Sequence, residues 1–375
     1  MASGPARRTG DPAAADDSEQ PDCAGDEDPA GTAGGGDARR SGSADGTASG
    51  VDDPPHPAFA EYATESVPQA PVGAAGKDGR LDLAFARAGG ETRLVRDFAR
   101  VPFHVSGTLG HDPHPASETV YVQSPSGGVA QGDRHTVTVS VGANAVAHVS
   151  TGSATKVLSM ERNYAAADLA LSVAAGGHLD YVPAPTILHE GARLCQDVTV
   201  DLAPTASAVV GEVLVPGRLA RGERFDFDRY RSTCEVRVDG EVRVADATHL
   251  DPGDADPAAP GVMGEFAVLG TLYVLAPDAD APSLSDRLHE RVTAAAARDA
   301  SETSERGEPA ESDGASAESD AETVRAGATA LPNATGVLVR ALGHRADPVT
   351  HALRAAWDGA RTDLLGVGAP ADRRQ

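Results

Sequence analysis

Two glycine-punctuated blocks carry most of the side chains in this chain that could do chemistry. Gly127-Gly-Val-Ala-Gln-Gly-Asp133 delivers a carboxylate out of a tight turn, and Thr151-Gly-Ser-Ala-Thr-Lys156 follows with hydroxyls and one ammonium. Gly127, Gly128 and Gly132 supply the backbone freedom that such a turn needs. The stretch holds Asp133, Thr155 and Lys156, but no nucleophile and base at a recognisable spacing. Glu212 follows Gly211 further on, and Arg218 and Glu223 sit in a short charged segment, Gly217-Arg-Leu-Ala-Arg-Gly-Glu223, each just after a glycine. That segment is either a partner-facing turn or a structural corner stapled by an Arg–Glu pair. His111-Asp-Pro-His114, with His104 nearby, offers imidazoles to a divalent metal. The plainer reading is an exposed polar loop, since two prolines restrict how the histidines converge. Plainer readings also exist for the acids: Asp133 as a turn cap, and Glu212 as the partner of Arg218 or Arg221. A buried carboxylate left unpaired is costly, so pairing is physically reasonable. Lys156 can serve as the partner of either acid or as an electrostatic gate.

The elements that position these residues are mostly strands. From His135 to Val141 polar and apolar residues alternate, which puts Val137, Val139 and Val141 on one face. Gly142-Ala-Asn144 turns the chain and a second strand runs from Ala145 to Ser150. Leu81, Leu83 and Phe85 alternate ahead of Gly89-Gly90, and Thr92 to Phe98 returns, giving a hairpin. Alternation recurs from Leu169 to Val182 and from Arg193 to Leu202. Ala208 to Val215 is dense enough in Val and Leu to be covered on both faces. Cys234 to Val244 folds back at Asp239-Gly240, a pair suited to a type I′ turn. Cys195 and Cys234 fall within these patterns as small core residues. Helices come late: one capped by Ser285 and running through Ala297, and one opened by Asp347-Pro348 and running from Val349 to Leu365, with Trp357 packed on the sheet. The expected fold is mainly β, with short strands stacked in a β-helix-like, mixed antiparallel arrangement and a small helical C-terminal part.

Composition divides the chain further. Residues 1–78 are rich in Gly, Ala, Asp, Pro and Ser with almost no aliphatic run, and residues from about 297 to 330 are similar, so both are expected to be disordered. That gives an acidic extension over 1–78, a β-rich body over 79–275, a helix and acidic low-complexity insertion over 276–330, and a C-terminal strand and helix over 331–375. The formal charge is −24, yet of 56 acidic and 32 basic residues 15 and 5 fall in 1–78 and 13 and 5 in 276–330, leaving 28 and 22 elsewhere, a net of −6. Lysine occurs only at Lys77 and Lys156. Acidic excess, alanine and scarce lysine point to a salt-loving source. The acidic balance excludes nucleic acid as a partner, and no stretch approaches the roughly 20 apolar residues of a membrane span. Three cysteines without a CxxC pair fit a reducing cytoplasm.

GGVAQGD followed by TGSATK resembles the urease accessory protein UreD (UreH) family. The resemblance continues in order through Tyr181-Val-Pro-Ala-Pro-Thr-Ile187, Gly211-Glu212, Gly217-Arg-Leu-Ala-Arg-Gly222-Glu223-Arg-Phe225 and Leu338-Val-Arg-Ala-Leu342. It implies a nickel-insertion chaperone rather than an enzyme: a cytoplasmic scaffold that binds apo-urease, joins UreF and UreG, and helps deliver nickel. It implies that Asp133, Thr155, Lys156 and Glu212 line or border an internal channel, with Ni²⁺ passing transiently and no tightly bound cofactor. Glu212 stands where the family commonly has aspartate. Carboxylates and hydroxyls suit such a path because they replace hydration water yet release the ion, whereas clustered His and Cys would hold it. GTP hydrolysis would belong to UreG, since this chain has no GxxxxGK[ST] loop. The alternative is a carbohydrate-active enzyme on a stacked β scaffold, using Asp133, Glu212 or Glu223 as general acid and nucleophile. An aromatic content of 4% weighs against it.

Overall fold

The alternation at His135–Val141 is realised directly: Val137, Val139 and Val141 are at most 5% exposed, while Thr136 ahead of them faces out and Thr138 and Ser140 between them are half-buried. The computed structural model describes residues 54–65, 67, 75–306 and 324–371. Numbered in chain order, strands β14 (Glu241–Leu250), β13 (Arg229–Val238), β11 (Arg193–Leu202), β8 (Ala165–Val173), β5 (Arg134–Val141), β1 (Asp78–Ala88) and β2 (Glu91–Arg100) lie side by side in a first sheet. A second sheet runs β16 (Arg325–Ala330), β17 (Gly336–Gly343), β15 (Val268–Leu275), β12 (Ser207–Val215), β9 (His178–Tyr181), β6 (Val146–Thr151), β4 (Ser117–Gln123) and β3 (His104–Leu109), with β7 (Thr155–Val157) and β10 (Thr186–Leu188) attached beside β12.

The middle strands of both sheets pair in parallel. Leu81 lies beside Val137, Val137 beside Leu169, Leu169 beside Val198 and Val198 beside Cys234. In the second sheet Val146 lies beside His178 and His178 beside Ser207. Each pass of the chain thus lays one strand on each sheet and the next pass stacks on it, as in a β-solenoid. Antiparallel hairpins close the margins. The β13–β14 hairpin turns at Asp239-Gly240 with φ values of 54° and 80°, the type I′ geometry.

Apolar side chains from both sheets meet in one core. A second core lies on the other side of the second sheet, where β12 shows its second buried face, Val209 and Val213, to helices α2 (Ala281–Arg306) and α3 (Ala346–Leu365). Both helices begin earlier than their sequence signals suggest. The Asp280 carboxylate accepts a 2.6 Å hydrogen bond from the Ser283 hydroxyl and caps α2, with Pro282 in the first turn. Ser285 lies one turn inside and is buried. In α3 the cap position is Arg345, and Asp347 falls in the first turn, where a carboxylate favours the positive end of the helix.

Parts of the two segments expected to be disordered are ordered. Residues 1–53, 68–74 and 307–323 lie outside the described residues. Within the first, however, Pro57–Phe59 and α1 (Ala60–Ala63) form a short strap on the first sheet. Phe59 is fully buried against Tyr164, 5.1 Å between ring centroids, and Cys195. Arg229 bonds the Ala58 carbonyl and Glu61, and Arg193 stacks 4.2 Å from the Tyr62 ring. A single aromatic pair in an otherwise apolar-poor arm is enough to anchor it. At the other segment α2 continues to Arg306, and β16 resumes at Arg325 because Ala326 and Ala328 pack against the helical core.

Candidate functional site

The two glycine-rich blocks meet because one strand of hydrogen bonds joins them. Val129 N–H donates to the Lys156 carbonyl and Leu158 N–H to the Val129 carbonyl, both at 2.8 Å. Gly128 makes this approach possible: at φ +153° an added Cβ would lie 2.6 Å from the Lys156 carbonyl oxygen. β7 then pairs with β10, and β10 with β12, so the blocks TGSATK, YVPAPTI and GEVLVPG assemble in one layer.

Across from that layer, one row of the first sheet departs from the apolar rule. His135 lies beside Ala167, Ala167 beside Gln196, Gln196 beside Ser232 and Ser232 beside Thr248. These inward positions are small or polar, and the rows on either side are apolar. Of this row Gln196 is bonded across to the second sheet, at Glu212, and a cavity of about 440 Å³ remains between the sheets. Hydroxyls from Thr155, Ser232 and Thr271 are among those on its wall.

Glu212 is the one carboxylate on that wall among the described residues. Its Oε1 accepts hydrogen bonds from the Tyr230 hydroxyl at 2.6 Å and from Gln196 Nε2 at 3.1 Å. Arg218 and Arg221 do not pair with it, and its donors are neutral groups. Burial pushes its carboxyl up from the ordinary value, and the Tyr230, Gln196 and Ser232 hydrogen bonds pull it back. Burial also raises Tyr181 to about 12, with the Glu212 charge adding to it, and Cys234, on the same wall, to about 12. The thiol therefore stays protonated and is a poor metal ligand. Thr155 is half-buried, and Lys156 is exposed while contributing to the wall, which puts it at an opening.

Asp133 is not on the wall. It is fully buried directly behind His135, and its carboxylate accepts from the backbone N–H groups of Lys77 at 2.8 Å and Ala130 at 2.9 Å and from Lys77 Nζ at 3.3 Å. The turn-cap reading of Asp133 is therefore realised. Arg218 and Glu223 form a two-point ion pair, Nε to Oε2 at 2.6 Å and Nη2 to Oε1 at 2.5 Å. It closes the corner that Gly217 turns, where a Cβ would stand 2.2 Å from the Glu223 carbonyl oxygen. His114 Nδ1 accepts from Ala116 N–H, and His111 stacks on Tyr121 at 6.0 Å. Among the described residues no group of three or more His, Cys, Asp or Glu is arranged to hold a metal ion. With Glu223 tied to Arg218 and Asp133 off the wall, these three acids do not form the facing carboxylate pair that the glycosidase alternative assigned to them.

The sequence did not point to Tyr230, Gln196, Lys77 or His135. His135 carried a usable signal, since it shares parity with Val137 and Val139 and so had to face inward. Tyr230 and Gln196 had none, because their role depends on stacking between passes of the chain.

A sequence model of the family described as UreD urease accessory protein matches residues 77–375. A Haloarcula marismortui protein named urease accessory protein UreD is 58% identical over 322 residues, spanning 86% of this chain and 99% of its own length. A Natronomonas pharaonis protein of the same name is 47% identical over 318 residues, 84% and 98% of the two lengths, and one from Photorhabdus laumondii subsp. laumondii is 33% identical over 319 residues, 84% and 91%. The chain therefore belongs to the UreD urease accessory protein family, whose members serve urease maturation and are not themselves enzymes.

Proposed function

We propose that this chain is a scaffold and nickel conduit, taking Ni²⁺ from an accessory complex containing UreF and the GTPase UreG and passing it through the inter-sheet cavity to apo-urease. The observation that carries this reading is the cavity, with Glu212 as its carboxylate and hydroxyls elsewhere on the wall. Such a lining exchanges hydration water for oxygen ligands without gripping the ion. Nickel is cargo in this account and no resident cofactor is required. Lys156, at an opening, sets a positive charge that an incoming cation has to pass. Two buried free cysteines support a reducing, cytoplasmic setting. Among the described residues no helix is long and apolar enough to cross a membrane. The acidic, lysine-poor composition supports a halophilic source.

The test is maturation of urease co-expressed with its accessory proteins, with this chain, without it, and with Glu212→Gln. Omission is expected to abolish nickel loading. Glu212→Gln keeps the size and the Tyr230 contact and is expected to cut loading severalfold while the multi-protein complex still elutes intact. Unchanged urease activity without the chain would remove the chaperone reading. Unchanged loading with Glu212→Gln would remove the carboxylate from the path.

A further inference from the structure

Both lysines in the sequence stand at this cavity, Lys156 on its wall and Lys77 behind His135. Every other cation–carboxylate pair formed by Lys or Arg among the described residues uses arginine, as at Arg193–Asp228, Arg229–Asp251 and Arg361–Asp180. Arginine would bind the Asp133 carboxylate through a fixed two-point fork. Lysine makes a single contact, here 3.3 Å, from a flexible stem whose ammonium can withdraw.

Next to that ion pair is an imidazole with one unbonded nitrogen. His135 lines the cavity, its side chain is 8% exposed, and its Nε2 has no hydrogen-bond partner. That nitrogen lies 3.8 Å from Asp133 Oδ2. The distance is too long for a hydrogen bond, but one cation with bonds of about 2.1 Å to each atom would span it.

We propose that Asp133 Oδ2 and His135 Nε2 form a two-ligand stop for a divalent cation beside the cavity, and that the Lys77 ammonium keeps this stop closed by occupying the carboxylate. The identity of the arriving ion as Ni²⁺ rests on the conduit reading; the site itself rests on the contacts above. Two protein ligands make a transit point rather than a store, in keeping with the lack of any three-ligand cluster among the described residues. When Lys77 withdraws, Asp133 keeps its hydrogen bonds from the Lys77 and Ala130 backbone, so the turn does not depend on the ammonium.

The experiment is a Ni²⁺ titration of the purified full-length chain by calorimetry at constant high salt, comparing wild type, Lys77→Met and Lys77→Met with His135→Leu, each checked for folding by thermal melting. Removing a positive charge 3.3 Å from the ligand oxygen is expected to tighten one-site Ni²⁺ binding by at least about tenfold, and His135→Leu is expected to abolish the gain. If Lys77→Met does not fold, Lys77→Gln, which keeps a polar head, carries the same expectation. A folded Lys77→Met or Lys77→Gln that binds Ni²⁺ no tighter than wild type, or a gain that survives His135→Leu, overturns the proposal. Urease is absent from this titration, so its failure leaves the conduit reading standing, and a urease maturation that ignores the cavity leaves this site standing.

Discussion

Glu212 and His148 are both buried titratable side chains, yet only Glu212 has donors to satisfy it. His148 lies on β6 beneath α3, 2% exposed, 5.2 Å from the Trp357 ring, and neither of its ring nitrogens has a hydrogen-bond partner. Burial pushes it from 6.5 down to about 4, against the pull of Asp180 and Asp112. The folded protein therefore binds fewer protons than the unfolded chain between those values, so stability rises with pH across that window and is lost as pH falls through it. The loss attributable to this one group reaches about 3 kcal/mol near pH 4. His148→Leu, close in volume and uncharged, is expected to be neutral or stabilising at pH 7 and to flatten the acid limb. Urea midpoints measured from pH 7 to pH 5 check this, and an unchanged pH slope contradicts it. In the sequence His148 is a polar residue between Ala147 and Val149, and nothing local marks which face of its strand a helix will cover.

At the scale of elements, α3 is held by ionic contacts as well as by its apolar stripe. Arg361 is fully buried, and its guanidinium donates to Asp180 Oδ2 and to Asp112 Oδ1, each at 2.5 Å, and to the Gly368 carbonyl. Trp357 Nε1 donates to Asp180 Oδ1 at 2.7 Å. Burial alone would raise the Asp180 carboxyl, but His178 and then Arg361 hold it well below the usual carboxylate range. The network ties β9, the loop before β4 and the C-terminal helix together. Arg361→Met leaves two buried carboxylates short of their cation, and is expected to cost about 3–5 kcal/mol; a loss under about 1 kcal/mol in urea denaturation would show that the helix is held by packing alone. Helix α3 was legible from Val349, Leu353, Ala356 and Trp357, which recur at helical spacing. The burial of Arg361 was not, because four residues past Trp357 it shares the apolar face, and a charge there reads as a reach to solvent unless Asp180 and Asp112 are known to lie beneath it. The strands were legible for a related reason: period two reports which residues point inward. It does not report which inward residues, about thirty positions apart, stack on one another, and that register is what brings Gln196 and Tyr230 to Glu212.

At the scale of the whole molecule, the cavity exists because one row of the solenoid is built from His135, Ala167, Gln196, Ser232 and Thr248 between two apolar rows. Read along the chain, these are single small or polar residues scattered among strands, each unremarkable; stacked, they form one wall. Thr155 and Glu212 stand on the cavity wall, while Asp133 takes a place behind it. The most direct measurement is the nickel content of urease matured with Ala167→Phe, which puts a ring into the middle of the row without touching Glu212, Lys156 or the outer surface. If the cavity is the path, this chain still folds and still co-purifies with the urease machinery, but the urease it serves emerges largely without nickel. Urease that carries its full nickel complement beside a folded Ala167→Phe chain would contradict the account.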